Sequence, residues 1–115
     1  MTVGELAATL EFEVLTGNVN LDRTVGSGYV SDLLSDVIAN IEDNSVWITV
    51  QRHVNILGVA KLREVSAIII PRKLELDNEV LEKAKSEGIA ILRDQRSAFE
   101  ISGMIYNALR KGMAD

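Results

Sequence analysis

From Ser45 to the C-terminus, continuous apolar runs alternate with stretches in which apolar residues recur every three or four positions. Val46-Trp47-Ile48-Thr49-Val50, Ser66-Ala67-Ile68-Ile69-Ile70 and Ile89-Ala90-Ile91-Leu92 read as strands. They are rich in β-formers and apolar on both faces, as in a parallel sheet covered by helices on each side. Pro71, the only proline, ends the second run. Between them, His53 to Val65 reads as a helix carrying Val54, Ile56, Leu57, Val59, Ala60, Leu62 and Val65 around much of its circumference. That distribution predicts burial on more than one side. Asp77 opens a helix to about Ser86, with Gly88 placed to end it. Ser97 opens a last helix to about Lys111 with Phe99, Ile101, Met104, Ile105, Ala108 and Leu109 as its apolar residues; Arg110 and Lys111 suit the negative end of its dipole and Gly112 is placed as the stop.

The N-terminal part is less regular. Thr2 is placed to cap a short helix through Leu10, and the alternation Phe12-Glu13-Val14-Leu15-Thr16 predicts a strand bounded by Gly17-Asn18. A loop from Asp22 to Gly28 follows, then Tyr29-Val30 as a short extended piece. Ser31 reads as the N-cap of a helix over 32–41 that places Leu33, Leu34, Val37, Ile38 and Ile41 on one face. Glu42-Asp43-Asn44 is an acidic turn. The strand–helix alternation predicts an α/β fold, a three-layer sandwich with a mostly parallel sheet of four to five strands and right-handed crossovers. With no repeat or linker, residues 1–115 read as a single domain.

Composition narrows the chemistry. The net charge of −5 argues against non-specific binding to nucleic acid or anionic membranes. No cysteine is present, which excludes disulfides, thiolate metal sites and cysteine nucleophiles; the single histidine excludes a multi-histidine metal site in one chain. The apolar runs are too short to span a membrane, and the acidic start does not resemble a signal peptide, so a cytoplasmic location is expected. No metal and no cofactor is expected.

The candidate chemistry is sparse. Gly26-Ser27-Gly28 ahead of a helix could present backbone N–H groups to a phosphate, but no Lys-Ser or Lys-Thr follows as in a P-loop, and a dinucleotide fingerprint would need a third glycine. A tight turn accounts for it more simply. Asp22 and Arg23 suit either ligand contact or a loop ion pair. Ser27 and Ser31 have no base nearby in sequence, and His53 alone makes no triad. Asp32, Asp36, Glu42 and Asp43 fit no calcium loop. Basic residues follow three predicted strands: Arg52 and His53, then Arg72 and Lys73, then Arg93 and Arg96. Ligands of open parallel sheets bind beyond the strands' carboxyl ends, so convergence of these side chains, with Gly26 to Gly28 beside them, would form an anion site. The competing reading is that strand ends are loops and loops are polar.

The run Leu21 to Val37 resembles the DRTGG domain. Asp22-Arg23 matches the family's Asp-Arg, and Gly26-Ser27-Gly28 stands where the family carries Thr-Gly-Gly, with Gly28 in common. Tyr29-Val30-Ser31-Asp32-Leu33-Leu34-Ser35-Asp36-Val37 is similar to members that consist of this domain alone. The resemblance implies a regulatory rather than catalytic role, dimerisation as a recurring property, and a fold similar to the N-terminal domain of HPr kinase and to the uridine-nucleotide-binding domain of Mur ligases. Such domains occur alone or beside CBS, phosphotransacetylase or pyrophosphatase domains. The resulting expectation is a non-catalytic regulatory or interaction module acting as a homodimer, since the apolar helices exceed what one thin sheet covers. The alternative is a sensor that binds a nucleotide or other phosphorylated metabolite at the basic strand ends. A small kinase or acyltransferase ranks last, because neither a P-loop nor a nucleophile–base pair is present.

Overall fold

The computed structural model describes residues 1–114, with side chains through Lys111. The chain runs α1 (Val3–Leu10), β1 (Glu13–Val14), β2 (Ser27–Val30), α2 (Leu34–Asn40), β3 (Ser45–Ile48), α3 (Asn55–Leu62), β4 (Ala67–Ile70), α4 (Asn78–Glu87), β5 (Ile91–Arg93) and α5 (Ala98–Ala114). The strands form one five-stranded sheet in the order β1-β5-β4-β3-β2. β2, β3, β4 and β5 run parallel, and β1 is antiparallel to β5, with Val14 opposite Leu92. This is the expected mostly parallel, three-layer α/β sandwich.

The side-chain period of two in a strand divides the core into two layers. Trp47, Ile68, Ile70 and Ile91 pack with Val37 and Ile41 of α2, Ile56 and Leu57 of α3, and Val80 and Ala84 of α4. Val46, Ile48, Ala67, Ile69 and Leu92 face the other way and pack with Val3 and Leu6 of α1 and Ile101 and Ile105 of α5. Every residue of β3 and β4 is buried, which is why these strands read as unbroken apolar runs.

The helix ends follow local chemistry. Thr2 and Glu5 form a reciprocal capping box on α1. Ser97 and Glu100 do the same for α5, with the Glu100 N–H donating to Ser97 Oγ at 3.2 Å and the Ser97 N–H to Glu100 Oε1 at 3.3 Å. α4 ends at Gly88, whose φ of 74° is the left-handed conformation a glycine adopts most readily.

Several sequence expectations are corrected. Ser31 does not cap α2, which starts at Leu34 after Leu33 with no side-chain cap. Ser31 Oγ instead accepts from the Leu33 N–H at 3.3 Å, within a loop held to β3 by Asp32, whose Oδ1 accepts from Thr49 Oγ1 and the Val50 N–H, both at 2.9 Å. Leu33 is 64% exposed and Ile38 39%, so the face that α2 buries is narrower than the five residues proposed. α3 is buried on one side only: Ile56, Leu57, Val59 and Ala60 enter the core while Leu62 is 67% exposed. The expected five-residue strand at Phe12 shortens to two paired residues, and α5 continues through Gly112 to Ala114.

Candidate functional site

The ten residues singled out from the sequence do not gather in one place. Gly26 leads into edge strand β2 and Ser27-Gly28 begin it, rather than forming a loop beside the strand ends; Ser27 is level with Ser45 and the Gly26 N–H donates to Asn44 O at 2.8 Å. Arg52, His53, Arg72 and Arg96 follow the opposite ends of β3, β4 and β5, and Arg93 closes β5. Parallel strands all point the same way, so the start of β2 and the finish of its neighbours lie at opposite edges of the sheet. The proposed backbone cradle therefore cannot serve the basic strand ends.

Arg23 sits at the starting edge. Its Nε donates to Asn44 Oδ1 at 3.1 Å and its Nη2 to Glu64 O at 2.8 Å. Asn44 and Glu64 both have left-handed backbones, with φ of 59° and 52°. Arg23 thus joins the two turns that lead into β3 and β4, a positioning role for a planar fork with several donors. Asp22 beside it is exposed.

At the finishing edge, most guanidinium groups are engaged with the protein itself. Arg52 Nη1 donates to Glu75 O at 2.9 Å and Arg93 Nη1 to Leu74 O at 3.3 Å, so two arginines from flanking strands hold the β4–α4 loop between them. The backbone N–H groups of Arg72 and Lys73 donate to Arg96 O and Asp94 O, fixing the same loop from below. Arg96 forks onto Asp94, donates to Leu10 O at 2.7 Å, and lies 5.8 Å from the centre of the Phe12 ring. The Arg96 side chain, by hydrogen bonding, holds the buried Asp94 carboxyl below its ordinary value. His53 Nδ1 accepts from the Asn55 N–H at 3.2 Å at the head of α3.

A shallow cavity of about 310 Å³ does open here, lined by Glu11, Glu13, Lys73, Arg93, Asp94, Gln95 and Arg96. Its three cations are matched by three carboxylates, so it presents no net positive field to an anion. At this edge the side chains of Arg72 and Lys73 are exposed and hold no direct ion pair among the described residues, although Lys73 borders the balanced cavity; their φ values of 56° and 51° are both left-handed. Consecutive left-handed non-glycine residues are strained backbone.

A second cavity of about 320 Å³ lies at the other side of the molecule, between the β2 edge and α5. Gly26, Ser27, Gly28 and Val30 form one wall, and Ser102, Ile105, Tyr106, Leu109 and Arg110 the other. Neither Gly26 nor Gly28 has a positive φ, and a Cβ would meet nothing within 4 Å at Gly26 and only ordinary contacts at Gly28. No crowding inside the chain accounts for these two glycines. Glycine within a strand often marks close approach by another molecule. In the cavity wall Val30 is 52% and Tyr106 65% exposed, and Phe99, 86% exposed, borders a separate shallow depression on the outer side of α5. Sequence reasoning placed Phe99 on an apolar last helix but passed over Tyr106; the signal was its spacing from Phe99, on the face opposite Ile101 and Ile105.

Among the described residues no group of acidic or histidine side chains is arranged to hold a metal ion, and no helix is long and apolar enough to cross a membrane. The fold is similar to that of the crystallised CBS and DRTGG domains from the regulatory region of Clostridium perfringens pyrophosphatase, complexed with its activator diadenosine tetraphosphate. The likeness has a TM-score of 0.70 at 20% identity and covers 90% of this chain but 45% of that one. Curated proteins provide no match. The DRTGG domain pattern itself extends over residues 5–108, nearly the whole sandwich from α1 into α5, and the chain belongs to the DRTGG domain family.

Proposed function

We propose that this chain is a non-catalytic regulatory module that acts as a homodimer. The observation that carries the reading is the outer face of α5, where Phe99 is 86% exposed over a shallow depression beside Gly103, and Tyr106 is 65% exposed at the cavity walled by the edge strand β2. Large exposed aromatic side chains grouped on one helix face mark interaction sites on soluble proteins, and a two-fold dimer is the commonest closed assembly. The regulatory part rests on the family and on the fold shared with the regulatory region of a pyrophosphatase. A cytoplasmic setting suits a chain with no cysteine to lose to reducing conditions. Sedimentation velocity at micromolar concentration tests the reading: a species of twice the chain mass is expected, and a monomer throughout refutes it.

A second reading, a sensor for a nucleotide or other phosphorylated metabolite, is favoured by one observation: the structurally similar pyrophosphatase region is complexed with a dinucleotide polyphosphate activator. In this chain the outward-facing Arg72 and Lys73, beside His53 and Arg52 at neighbouring strand ends, are the side chains suited to such an anion. Asp22, Arg23 and the Gly26-Ser27-Gly28 strand lie away from it. A thermal-shift series with nucleotides is the test, because a ligand bound only by the folded state raises Tm. Arg72→Ala is expected to remove the shift; an unchanged shift would assign the ligand elsewhere.

A further inference from the structure

The outer face of α5 carries a pattern that specifies more than an apolar patch. Phe99, Gly103, Tyr106 and Arg110 follow one another at intervals of four, three and four residues, and all four are exposed. That is the spacing of a helix–helix seam. The opposite face, Ile101 and Ile105, is already buried against the sheet, so the seam is not shared with this chain's own core.

We propose that the homodimer forms by antiparallel packing of α5 against α5 of a second copy along Phe99, Gly103, Tyr106 and Arg110; this rests on the homodimer reading above. A two-fold axis between residues 104 and 105 sets Gly103 opposite the partner's Tyr106 and Phe99 opposite the partner's Arg110. The pairings are complementary in size and in charge. Nothing lies within 4 Å of where a Cβ on Gly103 would stand, so the position is open space, and with no side chain of its own it leaves room for a partner's ring in the shallow depression it shares with Phe99 and Asn107. Arg110 already lies 5.6 Å from the centre of its own Tyr106 ring, and the partner's Phe99 would give the guanidinium a second aromatic face.

Charge selects the antiparallel arrangement. Glu100 occupies the first turn of α5, with Arg110 and Lys111 at its far end. In the antiparallel register Glu100 is offset from the partner's Arg110 by one residue, about 1.5 Å along the axis. A parallel pair would instead bring like charges together and align the helix dipoles unfavourably. The chain as a whole carries −5, so two copies repel over most approaches. This face balances its own charges. The seam also accounts for Gly103, which as an exposed mid-helix glycine costs about 1 kcal/mol relative to alanine and meets no close neighbour in its own chain.

Three variants of the full chain test this against the wild type by sedimentation velocity, with thermal melting as the folding control. Gly103→Leu fills the gap while improving helix propensity, and Phe99→Lys removes the ring and sets a like charge opposite the partner's Arg110. Each is expected to raise the dimer dissociation constant by about 100-fold, as for hot-spot positions in interfaces, with no loss of Tm attributable to unfolding of the monomer. Tyr106→Ala, which empties the gap instead of filling it, is expected to act in the same direction. If the wild type is dimeric and the variants remain so, the seam is overturned and the homodimer stands on another face. A monomeric wild type overturns both. The register has its own test, made clean by the absence of native cysteine. Mixed Gly103→Cys and Tyr106→Cys chains are expected to form a disulfide-linked pair on mild oxidation, and failure to do so in a dimeric mixture rejects the register.

Discussion

Arg93 and Glu13 are opposite one another where the antiparallel strand β1 meets the parallel body of the sheet, and the guanidinium grips both carboxylate oxygens, Nη2 to Oε2 at 2.9 Å and Nε to Oε1 at 3.2 Å. The same side chain reaches Leu74 O, so it ties the sheet edge to the β4–α4 loop. Arg93→Ala is therefore expected to lower unfolding stability by about 1–3 kcal/mol, since a charged donor leaves partly buried acceptors behind. Arg93→Lys should not restore it, because an ammonium lacks the fork. Glu13 is half-exposed, and its own removal should cost less than 1 kcal/mol, as for partly solvated ion pairs. Urea denaturation of the three variants checks the ranking.

Acid should weaken the fold in a definite window. Hydrogen bonds from the Arg96 side chain lower the Asp94 carboxyl, and those from Arg93 lower Glu13, from ordinary values of 3.8 and 4.5. A carboxyl depressed in the folded state contributes stability that is complete above its ordinary value and is lost as pH falls through the lower folded value. The urea midpoint is expected to stay level from neutral pH to about 5 and to fall below about 4. Asp94 is buried and Glu13 is not, so Asp94 should dominate. Asp94→Asn is expected to be less stable at pH 7 and to show a shallower fall in acid.

Glycine substitutions should separate conformational need from open space. Gly88 has a φ of 74°, and Gly88→Ala is expected to cost about 1–2 kcal/mol, the penalty for a left-handed residue with a Cβ. Gly26→Ala faces neither a positive φ nor a neighbour within 4 Å. Its melting temperature should match that of the wild type. Differential scanning calorimetry on the two variants decides the comparison.

Trp47 is fully buried in β3, with its Nε1–H donating to Ser31 O at 2.8 Å. Trp47→Phe removes volume and strands that carbonyl, so a loss of about 2–4 kcal/mol is expected from the cavity and the unsatisfied acceptor together. As the only tryptophan, Trp47 also makes fluorescence a direct probe of the β2–α2 loop and the core in the wild-type chain.

The layered fold was legible because β3, β4 and β5 are buried on both faces and therefore uninterrupted in sequence. The ends of α1, α5 and α4 announced themselves through Thr2, Ser97 and Gly88. Other features depend on partners far along the chain. Glu13 and Arg93 are 80 residues apart, and no local pattern marks β1 as antiparallel or only two residues long. The strand-end arginines were visible as charge, but their acceptors are the carbonyls of Leu74 and Glu75, which carry no side-chain signature. Tyr29-Val30 was read as extended, but Ser27-Gly28 was read as loop because glycine disfavours strands, whereas pairing with β3 overrides that preference. Phe99 was identified as apolar, but only the fold shows that Ile101 and Ile105 take the inward face and leave it outside.

The placement of α1 and β1 has a consequence for how the protein is made. Leu15 and Thr16 bond Ile91, and Arg96 reaches back to Leu10. On a ribosome adding about 5–20 residues per second, the partners of Glu13 are therefore synthesised roughly 4–16 s after it. Through that interval Val3 and Leu6 have no α5 to cover them, and the Thr2–Glu5 capping box is the local structure they hold. Within this domain the earlier-made residues of α1 and β1 are thus among the last to be enclosed, and the order of synthesis and the order of closure run in opposite directions.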